Sequence, residues 1–312
     1  MRRKGSRVNT DHFIRNYRPA DFDALLQLKN MAAALAADGV YLSSQAMRSL
    51  LGRPVYTPER DLFVAEIAGI VAGYLDINTE TRIGRAVLEV LVLPEYRQQG
   101  IARELYRQAV PRAKAMGAKI AHVNVREDNA ISRLVLKKSG FNPVRRFYEM
   151  TIDLTVVPEP DTPTVFAIRR LQAGEEVKLA RLQNRSFADS WGYNPNTAEE
   201  IEYAANATEN ARDMIFLAMY GNRPVGYHWM NIEHDEQGEG RGRVSMLGVD
   251  PEYRGKGIGR ELILVGLTNL KGRGLQVVRL TVDSTNLAAN ALYRSIGFRK
   301  NDVSLWYEKT LG

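Results

Sequence analysis

The apolar positions from Val244 to Val249 form a short run that ends just before Pro251, the pattern of a buried strand. Beyond it Ile263, Leu267 and Leu270 recur at helical spacing until Gly272 and Gly274 stop them, which predicts a helix. The turn between them, Asp250 to Arg260, holds Arg254, Gly255, Lys256, Gly257, Ile258, Gly259 and Arg260 in succession. Glycine lets the backbone take positive φ and lets a ligand approach the main chain, while the first amides of a helix have no partner of their own. Such a turn attracts phosphate. Its spacing is neither G-x-x-x-x-G-K-[ST] nor G-x-G-x-x-G, so the nucleotide-hydrolase and dinucleotide readings lack their motif.

The pattern occurs twice. Pro94 to Leu105 reproduces Pro251 to Leu262, and at a constant offset of 157 residues 15 of the 48 positions of Pro94–Phe141 are identical to those of Pro251–Phe298. Upstream, Phe13–Arg15 and Phe166–Ile168 read as first strands, and Asp21–Ala33 and Gly174–Phe187 as first helices. The hairpin Leu62–Ile67 with Val71–Leu75 is mirrored by Ile215–Met219 with Val225–Trp229, here at an offset of 153. Between the halves, Val156 to Thr164 carries three prolines in six residues and reads as a linker. The expected organisation is therefore a domain at 1–155, a linker at 156–164 and a second domain at 165–312, each of α/β layers.

Arg254-x-x-Gly257-x-Gly259, followed by Asn286-x-x-Ala289-x-x-Leu292-Tyr293 and Gly297-Phe298, resembles the two signatures of the GCN5-related N-acetyltransferases, in the family's order. The resemblance implies two tandem domains, each a mixed, mostly antiparallel sheet flanked by helices, with acetyl-CoA as co-substrate. It implies that main chain at Leu247, Gly248 and Val249 pairs with the pantetheine arm. It further implies that Arg254, Gly255, Lys256, Gly257, Ile258, Gly259 and Arg260 surround the pyrophosphate and that Asn286 touches CoA. The matching positions of the N-terminal half are Val92, Arg97, Gln98, Gln99, Gly100, Ala102 and Asn129. The tandem layout and the loop beginning Trp191-Gly192-Tyr193 are similar to the mycothiol synthases, although Arg243 stands near where those carry a glutamate.

Composition narrows the chemistry. The chain has 312 residues with 25% charged and 45% hydrophobic, ordinary for a globular protein with ample core. There is no cysteine, which removes thiolate metal sites and a cysteine nucleophile, and His12, His122, His228 and His234 show no zinc spacing, so no metal is expected. The net charge of +7 is spread along the chain, so a phosphate-rich cofactor is expected rather than nucleic acid. No apolar run reaches the roughly 18 residues of a membrane span, and the basic start, Met1 to Arg7, has no apolar region after it. A cytoplasmic protein is expected; its oligomeric state is left open, a monomer included.

Acetyl transfer to an amine needs a held thioester, a neutral amine and a proton for the departing thiolate. The resemblance makes Tyr293 the proton donor. Leu136 occupies the matching place in the N-terminal half, Gln99 replaces Lys256, and Pro111 is expected to interrupt the helix there. Hence the C-terminal half is expected to be active and the other impaired. For the general base the candidates are Glu233 and His234, with Asp235, Glu236, Glu239 and His228 nearby and Glu89 on the equivalent strand of the other half. An aromatic-lined cleft for a small-molecule or peptide amine is expected around Trp191, Tyr193, Tyr227 and Trp229, one of the last two belonging to the core. The competing class is a non-catalytic acyl-CoA sensor, which has no need of a proton donor at 293.

Overall fold

The structure is a computed structural model that describes residues 12–34, 40–158, 166–208 and 211–312. The N-terminal half runs β1 (His12–Asn16), α1 (Phe22–Ala34), α2 (Ser44–Leu51), α3 (Pro58–Asp61), β2 (Leu62–Ile67), β3 (Ile70–Glu80), β4 (Arg85–Val92), α4 (Ile101–Ala115), β5 (Ile120–Arg126), α5 (Ala130–Lys138) and β6 (Asn142–Asp153). The C-terminal half repeats the order: β7 (Ala167–Arg170), α6 (Glu176–Ser186), α7 (Ala198–Ala205), β8 (Ile215–Tyr220), β9 (Arg223–His234), β10 (Gly240–Val249), α8 (Ile258–Gly272), β11 (Val277–Asp283), α9 (Leu287–Ile296) and β12 (Arg299–Thr310).

Contacts group the chain into two compact units. The first contains Met1–Ala37, Val55–Val123 and Thr310–Gly312; the second contains Asp38–Pro54 and Asn124–Lys309. In the first, β1, β2, β3 and β4 pair antiparallel in that order, and β4 pairs with β5 in parallel. In the second, β7, β8, β9 and β10 pair antiparallel, β10 pairs with β11 in parallel, and β6 pairs antiparallel with both β11 and β12. The sheets are thus mixed and mostly antiparallel, as expected. Residues 159–164 of the expected linker lie outside the described residues, as does the basic start of the chain. The strand before that segment, β6, belongs to the second unit.

Two parallel pairings matter for function because both are short. Only Gly242, Val244 and the residue between them face Val278–Leu280 across β10 and β11, and a bulge between Val244 and Met246 turns β10 away. A bulge adds a residue to one strand and bends it, so the strands part beyond it. In the first unit β4 and β5 likewise pair only through Arg85–Val87 and Ile120–His122.

α8 closes one face of the second sheet. Ile258, Leu262, Ile263, Leu267 and Leu270 are buried there with Val244, Val278, Leu280 and Val282. α6 and α7 cover the other face, burying Leu179, Leu182, Ile201 and Ala205 against Leu217, Tyr227 and Trp229. One expectation is corrected. α4 continues through Pro111 to Ala115, because the proline sits on the solvent side while Leu105, Ala109 and Ala113 keep the buried stripe intact.

Candidate active site

β10 leads through Asp250 into the glycine turn. Asp250 is almost fully buried, accepts from Arg185 and Arg223 at 3.0 Å each, and caps the following turn at the amide of Glu252. Gly255 and Gly257 take φ of 76° and 81°, and a Cβ at either would meet nothing within 4 Å, so the turn is open beside both residues. The first helical bond of α8 runs from Glu261 to the Gly257 carbonyl, which leaves the amides of Ile258 and Gly259 without intrahelical acceptors. These groups fit a pyrophosphate.

The cations of the turn divide. The Arg254 guanidinium donates to the carbonyls of Val249 (3.3 Å) and Ser186 (2.8 Å), tying the turn to β10 and α6 rather than projecting from it. Lys256 lies 5.0 Å from the Tyr253 ring, at an open cleft of about 610 Å³ lined by Phe166, Tyr220, Glu252, Tyr253 and Lys256. Arg260 reaches Ser295 Oγ on α9 at 3.4 Å. Asn286 caps α9, its side chain accepting from the Ala289 amide at 3.1 Å. Phe166, which the sequence places only in a first strand, and Tyr220 were not expected at the site, since they are distant from the turn along the chain.

Tyr293 lies on α9 inside the cluster that holds Ile258, Leu262 and Val282, with Leu247 and Val249 packed against it. Its ring meets Phe298 edge-on at 5.7 Å. Burial pushes its phenol well above the usual tyrosine range, so it is a protonated donor at any physiological pH. The phenol of Tyr227, on the sheet, is pushed up as well, by burial first and then by Tyr193 and Tyr293. Leu247, Gly248 and Val249 pair with β9 on one edge only, opposite His228, Tyr227 and Gly226, and their other edge faces the gap left by the parting of β10 and β11.

Glu233 and His234 sit at the far end of β9. Glu233 is opposite Arg241, eight residues before Val249, which is about 26 Å along a strand. Its carboxylate binds Arg279 on β11 and approaches Arg243 at 3.7 Å, so a carboxylate does reach Arg243, from the neighbouring strand. The carbonyl of His234 accepts from the Tyr41 amide at 2.8 Å. Asp235 shapes the β9–β10 turn by accepting from Gln237 and Glu239, and His228 is wholly buried against α8. Tyr227 and Trp229 are both core, so neither lines a cleft. Trp191 instead faces Phe147 (6.1 Å) and Trp306 (6.0 Å), with Arg145 over its ring at 5.8 Å. Its loop is held by Asn184, which accepts from Tyr193 Oη (2.8 Å) and the Asn196 amide (2.9 Å).

In the first unit, the equivalent turn has Gly100 at φ 86° as helix cap and Gln98 at φ 64°, a left-handed residue without the licence of glycine. Arg97 donates to the Val92 carbonyl, as Arg254 does to Val249. Ala102 and Gln99 follow the same course, and Asn129 caps α5 in the second unit.

The acetyltransferase (GNAT) family model matches residues 30–141 and again 177–298. The chain belongs to this family. Members are acyl-CoA-dependent N-acetyltransferases with acetyl-CoA as co-substrate. This GNAT protein is 31% identical over 297 residues to the mycothiol acetyltransferase of Geodermatophilus obscurus, covering 93% of this chain and 95% of that one. It is also 31% identical over 195 residues to that of Mycobacterium ulcerans, where the match spans 57% of this chain and only 58% of the relative. Among solved structures, a GCN5-related N-acetyltransferase from Sphaerobacter thermophilus shares the fold at TM-score 0.72 and 21% identity, covering 96% of each chain. A tandem GNAT protein from the clavulanic acid biosynthesis pathway does so at TM-score 0.73 and 16% identity, covering 97% and 99%. Among the described residues no helix is long and apolar enough to cross a membrane, and no cluster of ligands suits a metal ion.

Proposed function

We propose that this GNAT protein transfers an acetyl group from acetyl-CoA to a primary amine in its C-terminal half, and that the amine is the cysteinyl amine of desacetyl-mycothiol. The observation that supports the reading is that Tyr293 lies in the buried cluster of Ile258 and Leu262 of α8 and Val282 of β11, against which Leu247 and Val249 pack. The amides of Ile258 and Gly259 hold the pyrophosphate, and the free edge of Leu247–Val249 holds the pantetheine arm. The cleft at Phe166, Tyr220 and Lys256 takes the nucleotide end. The neutral amine attacks the acyl carbon, the C–S bond breaks, Tyr293 donates its proton to the sulfur, and the proton lost from the amine nitrogen restores the phenol.

The N-terminal half lacks this donor, since Leu136 replaces the tyrosine, and it serves as scaffold. The substrate assignment draws support from the mycothiol acetyltransferases that align over nearly the whole chain.

The test is thiol release from acetyl-CoA with desacetyl-mycothiol as acceptor. Tyr293→Phe should lower kcat about a hundredfold or more while leaving the Kd for CoA unchanged. Tight CoA binding without turnover in the wild type would instead identify an acyl-CoA sensor.

A further inference from the structure

The strand face that carries the aromatic wall also carries a row of charges, and of its carboxylates all but one are matched. Arg279 and Arg243 are held by Glu233, Asp283 by Arg145 at 2.9 Å, and Asp302 by Arg126 at 2.6 Å. The exception is Glu149, half-buried on β6 as the cross-strand neighbour of Thr281 on β11 and of Asp302 on β12. Thr281 Oγ1 donates to Glu149 Oε2 at 2.7 Å, and Ser304 Oγ to Oε1 at 3.5 Å. Among the described residues no cation neutralises it. Each carboxylate oxygen has two lone pairs, so the two hydroxyls leave acceptor capacity unused.

Its place along the sheet gives this meaning. Leu280 is the last residue of β11 in register with β10, and Thr281 is the first beyond it, at the mouth of the gap. Arg243, from the other side of the gap, donates to the same Thr281 hydroxyl at 3.3 Å. Glu149 is therefore one hydroxyl away from where the two strands part, whereas Glu233 is occupied by two guanidinium groups.

We propose that Glu149 binds the ammonium of the acceptor and takes its proton. The inference rests on the C-terminal half being the catalytic one. In the step, the carboxylate removes one proton from the ammonium, and the nitrogen lone pair forms the C–N bond. The C–S electron pair leaves with sulfur, which is protonated by Tyr293. The second amine proton restores the phenol, so one proton is released overall, from Glu149 to solvent. Thr281 and Ser304 position the carboxylate; the aromatic wall of Phe147, Trp191 and Trp306 flanks it.

The experiment uses the full chain, acetyl-CoA and desacetyl-mycothiol, with Glu149→Gln, Glu149→Asp and Tyr293→Phe measured side by side. Glu149→Gln should lower kcat/KM for the amine about a hundredfold near neutral pH. The deficit should shrink as pH rises, because solvent then deprotonates the amine, and Glu149→Asp should recover part of the activity. The melting temperature and CoA affinity should stay at wild-type values. If Tyr293→Phe is crippled while Glu149→Gln retains wild-type kcat/KM and pH profile, this role for Glu149 is overturned and the functional reading stands. A loss in Glu149→Gln that is the same at every pH and tracks a lower melting temperature also overturns it. If the wild type turns over nothing, or Tyr293→Phe is fully active, both readings fall.

Discussion

A Cβ placed on Gly266 of α8 would lie 2.3 Å from both Cε1 and Nδ1 of His228 on β9. The imidazole fills the space that any other residue at 266 would need, and its Nδ1 pairs with the Leu262 carbonyl one turn earlier at 3.0 Å. The matching positions of the N-terminal half are Ala109 and Leu75, both wholly buried. Gly266→Ala should therefore overpack the core and lose about 2 kcal/mol in chemical denaturation. The double variant Gly266→Ala/His228→Leu, which copies the other half, should recover most of that loss. Equal stability of the single and double variants would show that the two positions are not coupled.

His228 also sets a pH dependence. Burial lowers its pKa from 6.5 to about 4, because the charged ring would be stripped of water, while the Leu262 carbonyl only partly offsets this. The unfolded chain binds the proton first as pH falls, so this contribution to stability is complete above pH 6.5 and is lost on the way down to about 4. The loss amounts to about 3 kcal/mol at the bottom of that window. The difference in unfolding free energy between wild type and Gly266→Ala/His228→Leu, measured from pH 7.5 to 4, should move in favour of the variant as pH falls. A constant difference would exclude His228 as the titrating group.

The glycine turn tests the comparison of halves at the level of one dihedral angle. Gln98 holds φ 64° where Gly255 holds 76°, and a side chain in the left-handed region costs about 1–2 kcal/mol. Gln98→Gly should stabilise the protein by somewhat under 1 kcal/mol, since the added freedom of the unfolded chain takes back part of the relief. The reverse change, Gly255→Gln, should destabilise and should weaken CoA binding in the C-terminal half. The readouts are the denaturation midpoint and the Kd for CoA.

The turn, its helix and the tyrosine were legible because each is a local pattern: the glycines, the spacing of Ile263, Leu267 and Leu270, and the signature ending in Gly297-Phe298 are written within single elements. The acceptor face was not. Glu149 meets Thr281 across 132 residues of sequence, and Phe147 meets Trp306 across 159, only because β6 lies between β11 and β12. No periodicity within β6 announces its neighbours. For the same reason Glu233 was expected as a general-base candidate, whereas Arg279 and Arg243 hold its carboxylate on the sheet. Asn286, expected from the resemblance to touch CoA, spends its side-chain oxygen on capping α9.

Lys29 supplies the last prediction. It is 6% exposed, pairs with Glu89 at 2.9 Å and approaches Asp76 at 3.9 Å, and its ammonium lies 4.5 Å from the centre of the Tyr74 ring. Tyr74 corresponds in sequence to Tyr227, and Glu89 to Met246, so the first unit stores an ammonium where the second presents apolar side chains. Asp76 is 5% exposed and also accepts from Tyr56 at 2.7 Å. Removing the cation would take a charged partner from that buried carboxylate, the costly side of a broken ion pair. Lys29→Met should therefore lose about 3 kcal/mol. Glu89→Gln should lose much less, because the Glu89 side chain is 58% exposed and Asp76 remains. Acetyl transfer in the C-terminal half should persist in both variants below their unfolding temperatures. A Lys29→Met protein as stable as wild type would mean that water reaches Asp76 and that the site tolerates an empty place for the ammonium.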